Sequence, residues 1–321
     1  MKYKILNTIG EAYTLAGRDV LEGIGDVFYK TLSQDNLRES IGAYDIAVIG
    51  LGLDFNKDII QNASNLKIIA TATTGLDHID LKTAEKRGIK VLSLKGEEEF
   101  LNIITSTAEL AMGLLIDIVR FTPWAFDTVK NYKWDRENFR GHTLHGKTLG
   151  IVGMGRLGTW MARYGKAFGM DVIFYDPQVK ESRVPDCRRV SFDELLAQSD
   201  VVSLHAHLNK ETENMFNAGV FKKMKNTAYL VNTARGRIVD EVALLEALQS
   251  GEIAGYAADV LADELSFEKT FSTHPLIEYA RKNKNVIIVP HIGGMTVESR
   301  SRTDVFIAEK LKKFISKGMS L

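Results

Sequence analysis

The chain has 321 residues, 45% hydrophobic and 26% charged, with 41 basic residues against 41 acidic ones. This is globular composition at a length that suggests two domains, and zero net charge leaves no overall basic field for nucleic acid or an anionic membrane. The only cysteine, Cys187, excludes an intrachain disulfide and fits a reducing, cytoplasmic setting.

The N-terminal MKYKILNTIG lacks the continuous apolar run of a secretion signal. No stretch of about 18 apolar residues occurs, so no transmembrane helix is expected. Strands are expected at Tyr3–Leu6, Asp45–Gly50, Leu66–Thr71 and Lys90–Leu94, each but the first after a helical segment. That alternation is the pattern of a small parallel α/β domain. A helix then begins near Ser106, where Ser106 and Glu109 have the spacing of a capping box. Ala108–Val119 is apolar nearly all round, so this helix should be largely buried, a candidate bridge between domains. Residues 120–146 carry Trp124 and Trp134, and packing is the expected role of Trp134.

Lys147 to Asp176 is the most informative stretch. Lys147–Val152 is a short apolar run suited to a buried parallel strand. Gly153-Met154-Gly155-Arg156-Leu157-Gly158 is a G-x-G-x-x-G turn, a helix follows to about Gly169, and Asp171–Tyr175 is the next strand, with Asp176 at its carboxyl end. Strand, glycine turn, helix, strand and acid come in the order of a dinucleotide-binding βαβ unit. Gly153 permits the tight turn, Gly155 lets backbone approach a pyrophosphate, and Gly158 lets helix and strand pack closely. The helix start at Arg156 and Leu157 offers free N–H groups to phosphates. Asp176 can accept from the ribose hydroxyls and repels a 2′-phosphate, which favours NAD over NADP.

Further strands are expected near 200–204, 227–233, 253–259 and 286–290, and an amphipathic helix over Ser299–Ser316. The terminal helix is expected to return to the first domain. Residues 1–102 with 296–321 then form a substrate-binding domain, into which a nucleotide-binding domain of residues 103–295 is inserted.

Open parallel sheets bind ligands at the carboxyl ends of their strands. Arg235 follows Tyr229–Thr233, Asp259 closes Ile253–Ala258, His291 follows Val286–Pro290, and Glu264 lies on a loop at the same edge. Taken singly, each reads as a loop or surface residue. Their placement on successive strand ends downstream of a nucleotide turn changes that reading. Oxidising an alcohol with NAD requires a base for the hydroxyl proton, and histidine suits that task near neutral pH. A carboxylate such as Glu264 can orient it. A guanidinium grips a carboxylate bidentately and polarises an adjacent carbonyl, so Arg235 points to a substrate acid. No Cys/His cluster suggests a metal. His205 and His207 also stand at a strand end and could line the cofactor cleft. His78, His142, His145 and His274 are assigned no chemistry.

At these residues the chain resembles the D-isomer-specific 2-hydroxyacid dehydrogenase family, NAD-dependent and phosphoglycerate dehydrogenase-like. The matching pieces are Thr74-Gly75-Leu76-Asp77-His78-Ile79-Asp80, Ser106-Thr107-Ala108-Glu109, Gly146–Val152, the glycine turn, Val231–Asp240, Asp259-Val260 with Glu264, and Pro290-His291-Ile292-Gly293-Gly294. The resemblance covers nearly the whole chain. It implies a Rossmann NAD-binding domain inserted in a flavodoxin-like substrate domain, and an oxidoreductase of CH–OH donors that interconverts a D-2-hydroxy acid and its 2-oxo acid. It implies Arg235 for substrate binding, Glu264 as orienting acid and His291 as acid/base. Asp259 would contact the nicotinamide side of the cofactor, with Thr233, Ala234, Gly293 and Gly294 around it, and Thr74 and Gly75 would offer backbone N–H groups to the substrate carboxylate. Family members are usually homodimers that close a cleft between two domains.

Three departures shape the expectation. Relatives acting on 3-phosphoglycerate tend to carry basic residues in first-domain loops, whereas Ile49–Asp54 and Thr71-Ala72-Thr73 contain no Arg or Lys. A smaller or less charged acid is therefore expected, with D-3-phosphoglycerate as the alternative. Ala206 and His207 replace the usual small residue and proline near the adenosine pocket, and Glu264, rather than glutamine, argues against formate oxidation. No appended regulatory domain is expected after Leu321. The alternative of another class is an NAD(H)-sensing, corepressor-like binding protein.

Overall fold

The computed structural model describes residues 2–264 and 273–318. The chain forms two compact units, one of residues 1–104 and 295–321 and one of residues 105–294. Each carries a parallel sheet.

In the first unit, β1 (Tyr3–Asn7), β2 (Gly25–Tyr29), β3 (Ile46–Ile49), β4 (Ile68–Thr71) and β5 (Lys90–Leu92) are ordered β2-β1-β3-β4-β5. This is the flavodoxin-like order. Strands β3 and β4 are buried at every residue, as expected of central parallel strands. The edge strand β2 was not anticipated, because its mixed sequence GDVFY is only half-covered. Gly25 is required there, since a Cβ would overlap the Tyr3 carbonyl across the β1–β2 pair. The terminal helix, Val297–Ser316, starts at Thr296, whose hydroxyl accepts the Ser299 N–H at 3.1 Å. Ile307, Ala308 and Leu311 share a core with Ile5, Ile46 and Ile68. Buried Asp304 accepts the Thr14 N–H and pairs with Arg300, and the Tyr13 hydroxyl donates to the Asp304 carbonyl at 2.9 Å.

In the second unit, β6 (Thr148–Val152), β7 (Asp171–Tyr175), β8 (Cys187–Arg189), β9 (Val201–Leu204), β10 (Tyr229–Asn232), β11 (Gly255–Ala258) and β12 (Val286–Ile288) are ordered β12-β11-β10-β9-β6-β7-β8. The chain runs outward from β6 to β8, then crosses back to β9. The switch point of this doubly wound sheet lies between β6 and β9. Alternate strand residues feed two cores. Leu149, Ile151, Phe174, Val231 and Ala257 face one, and Val152, Leu204, Leu230, Tyr256 and Ala258 face the other.

The N-cap position of helix Ser106–Arg120 is Thr105 rather than the anticipated Ser106, and no side-chain capping bond forms there. The Thr105 hydroxyl donates instead to Glu109 Oε1 at 2.5 Å, four residues on rather than the three of a capping box. Among the described residues, 98–120 alone has the length and hydropathy of a membrane span. Here its apolar face, with Ala111, Leu114, Leu115 and Ile118, is filled by the second unit's core. Trp134 does not pack as expected, being 87% exposed.

Candidate active site

The glycine turn follows β6. Gly153 has φ +94°, and a Cβ there would press on the His205–Ala206 peptide. Nothing lies within 4 Å of a would-be Cβ at Gly155, which caps helix Arg156–Ala167, so that approach is open to a ligand. A Cβ on Gly158 would overlap the Gly153 carbonyl. Part-exposed Arg156 and Leu157 open the helix, and desolvation pulls the Arg156 guanidinium below its ordinary pKa. Gly158→Ala should cost about 1–3 kcal/mol through overpacking, a melting-temperature loss of roughly 3–10 °C by thermal denaturation. Gly155→Ala should weaken dinucleotide binding, since it fills space only a ligand would use, at a stability cost of about 0.5–1 kcal/mol as a poorer helix cap.

Asp176, at the end of β7, ties the turn down. Its Oδ2 accepts the Met154 N–H at 2.8 Å, and its Oδ1 accepts those of Gln178 and Val179 at 2.8 and 2.9 Å. A carboxylate has about four acceptor positions, so capacity remains for a ribose hydroxyl.

His205 leaves β9 beside Gly153. The residue as a whole is part-exposed, but its Nδ1 is shut off from solvent, and its Nε2 lies 2.9 Å from the Ser203 hydroxyl. Burial pushes its pKa down to about 4. The folded protein therefore keeps this ring neutral where the unfolded chain, with an ordinary pKa of about 6.5, binds a proton. Stability is full above about pH 6.5 and falls as pH drops toward 4, by about 3 kcal/mol over that window. Urea titrations across the window should show this loss, and His205→Gln should flatten it. An unchanged acid limb in the variant would refute the assignment. His207 is exposed.

At the end of β10, buried Asn232 shapes the next turn. Its Oδ1 accepts the Ala234 N–H at 3.0 Å and its Nδ2 donates to the Arg235 carbonyl at 2.9 Å. Thr233 is buried, and its hydroxyl has no partner among the described residues. Half-buried Arg235 donates from Nη1 to the Ala234 carbonyl at 2.7 Å. Gly236 lies so close to the Leu261–Ala262 peptide that a Cβ would overlap it. The Arg235 turn thus rests on the segment that carries Glu264.

Asp259 follows β11 and is 1% exposed. Its carboxylate accepts the Ile292 N–H at 2.6 Å and the Gly293 N–H at 2.8 Å, while its carbonyl accepts the His291 N–H at 2.9 Å. Burial raises its pKa, and those two N–H groups oppose the rise. Gly293 has no room for a Cβ between Asp259 and Thr107, whereas Gly294 meets nothing. His291 itself has φ +52°. A side chain in this left-handed region costs roughly 1–3 kcal/mol and persists only where surroundings enforce it. Asp259 supplies that enforcement through three hydrogen bonds to consecutive residues. The outcome is that His291 Nδ1 lies 2.5 Å from Glu264 Oε1, and Glu264 Oε2 accepts the Leu261 N–H at 3.3 Å. An ionised carboxylate only accepts, so Nδ1 carries the hydrogen and Nε2 is left for proton exchange.

The second unit therefore brings together Asp259, Glu264 and His291, and sets the turn that carries Arg235 against the Leu261–Ala262 peptide. Thr74 and Gly75 belong to the first unit, in the loop after β4, where the Thr73 hydroxyl donates to the Gly75 carbonyl at 2.8 Å. Among the described residues, no group of three or more His, Cys, Asp or Glu side chains could hold a metal ion. Asn232 was not singled out from sequence, although it lies inside the Val231–Asp240 motif.

A doubly wound parallel sheet with its glycine turn at the switch point and an acid at the end of the adjoining strand β7 defines a dinucleotide-binding protein. Open space at Gly155, unfilled acceptor capacity at Asp176 and the unpartnered Thr233 hydroxyl fit such a cofactor. Residues 112–293 match the family described as D-isomer specific 2-hydroxyacid dehydrogenase, NAD binding domain, and the chain belongs to this family. It is 37% identical to a hydroxypyruvate reductase of Thermotoga maritima, over 90% of each chain. It is 38% identical to a D-3-phosphoglycerate dehydrogenase of Archaeoglobus fulgidus, over 90% of this chain and 52% of that one. The chain thus spans about half the length of that relative. A crystal structure of D-lactate dehydrogenase from Aquifex aeolicus, complexed with NAD and lactic acid, aligns with a TM-score of 0.85 at 29% identity, covering 98% of this chain and 96% of that one.

Proposed function

We propose that the chain is a cytoplasmic, NAD-dependent oxidoreductase that interconverts a D-2-hydroxy acid and its 2-oxo acid. The observation that carries this reading is the 2.5 Å contact between His291 and Glu264, beside the turn that presents Arg235. The glycine turn and Asp176 would hold NADH, which when bound would supply the hydride to the carbonyl carbon. Arg235 grips the substrate carboxylate and polarises the carbonyl. His291 gives its Nε2 proton to the forming alkoxide, and Glu264 holds the ring through Nδ1 throughout. Oxidation of the alcohol runs these steps in reverse.

The substrate is a small, unphosphorylated acid. A phosphate needs cationic partners, and Ile49–Asp54 and Thr71–Thr73 provide none. The Asp54 backbone is held by neutral Gln34, and the Thr71 and Thr73 hydroxyls bond each other at 3.1 Å. Rates of NADH oxidation with hydroxypyruvate, glyoxylate and pyruvate, set beside 3-phosphohydroxypyruvate, test this. A decisive preference for the phosphorylated acid would overturn it.

We also infer a homodimer. Helix Thr122–Lys130 has no buried residue, and Phe126 (62% exposed), Tyr132 (100%) and Trp134 lie close together in sequence. Monomers rarely expose such groups together. The charges beside them pair within the chain, Lys130 with Asp127 and Arg136 with Glu137, so the exposed rings are what an isologous partner would cover. Sedimentation should give twice the chain's mass, and Trp134→Glu should shift it to the monomer.

A further inference from the structure

One carboxylate outside the reacting groups is placed to govern them. Glu241 opens helix Glu241–Ser250, yet the helix does not need it. Asp240 is already the cap, accepting the Val242 and Ala243 N–H groups at 3.1 Å each. The Glu241 side chain is only 16% exposed, and desolvation raises its pKa. A carboxyl group buried at such a cost calls for partners. Among the described residues it has two. Oε1 accepts the Ala262 N–H at 2.8 Å, and Oε2 lies 3.3 Å from His274 Nε2.

The peptide so held joins the parts of the site. Gly236, next to Arg235, packs on the Leu261–Ala262 peptide. The Leu261 N–H donates to Glu264 Oε2, and Glu264 Oε1 meets His291. A movement of this peptide would shift the acid that orients His291 and the floor of the Arg235 turn together. We propose that Glu241, braced by His274, is a positioning residue for the reaction, fixing the Leu261–Ala262 peptide and through it the place of Glu264 against His291. This rests on the reading of His291 as acid/base.

The test uses the full-length protein and three variants, Glu241→Ala, Glu241→Gln and His274→Ala. Two quantities are read: steady-state reduction of the preferred 2-oxo acid, and the downfield Nδ1–H proton resonance of His291, identified by its loss in His291→Ala. A shift of about 1 Å in a positioned group can lower turnover up to about 100-fold. Glu241→Ala should therefore lower kcat by roughly 10–100-fold, leave KM and NADH affinity little changed, and shift or abolish the resonance. Glu241→Gln retains an acceptor for the Ala262 N–H and should restore most of both. If Glu241→Ala does not fold, His274→Ala is judged by the same two readouts. Variants that lose thermal stability but keep kcat and the resonance would overturn the proposal, as would a Gln variant as impaired as the Ala variant. Wild-type protein inactive on every 2-oxo acid would instead overturn the oxidoreductase reading, and the resonance alone would still judge the positioning role.

Discussion

His291→Ala is expected to lower kcat for 2-oxo acid reduction by about 10²–10⁴-fold, the usual contribution of a positioned general acid, with NADH affinity nearly unchanged. The separation follows from geometry. The glycine turn and Asp176 lie at β6 and β7, whereas His291 follows β12 at the far edge of the sheet. Removing the imidazole deletes the proton donor and spares the dinucleotide cradle. Glu264→Gln should be milder, because an amide can still accept from Nδ1 but no longer stabilises the imidazolium. Stopped-flow binding of NADH beside steady-state turnover checks both statements. A His291→Ala protein with full turnover would remove the histidine from the mechanism.

Arg235→Gln should lower kcat/KM by a similar factor for a different reason. A guanidinium makes two charge-assisted hydrogen bonds to a carboxylate, each worth about 1.5–3 kcal/mol. Roughly 3–6 kcal/mol corresponds to about 10²–10⁴-fold. Arg235→Lys keeps the charge and loses the planar fork, so it should recover only part of the activity. If Arg235→Gln retained kcat/KM, the substrate carboxylate would have to be held elsewhere.

How far the sequence could be read depended on burial. Val172–Phe174 and Val201–Leu204 are buried at every residue, so they appear as apolar runs, broken only by Ser203, and fold as strands at or within a residue of the expected positions. Gly25–Tyr29 and Cys187–Arg189 are edge strands with mixed polarity, and no periodicity marked them. Trp134 was expected to pack and is exposed, because the residue type alone does not say whether its partner lies within the chain. In the site, strand-end position was enough to single out Asp259 and His291. The left-handed backbone of His291, the three bonds that Asp259 makes to hold it, the role of Asn232 in its turn and the Glu241–His274 pair were not legible. Asn232 acts on residues two and three positions on, but the others depend on groups distant in sequence or on a single torsion angle, which leave no local spacing signal. His274 is assigned no chemistry from sequence because it stands in a loop or at a helix end.

The most direct test of the central claim is NADH absorbance followed with purified protein and a panel of 2-oxo acids, wild type beside His291→Ala. The account predicts rapid NADH oxidation with at least one small unphosphorylated acid, lost in the variant. Tight NADH binding with no turnover on any acid would contradict it, and would favour a dinucleotide-sensing protein built on the same scaffold.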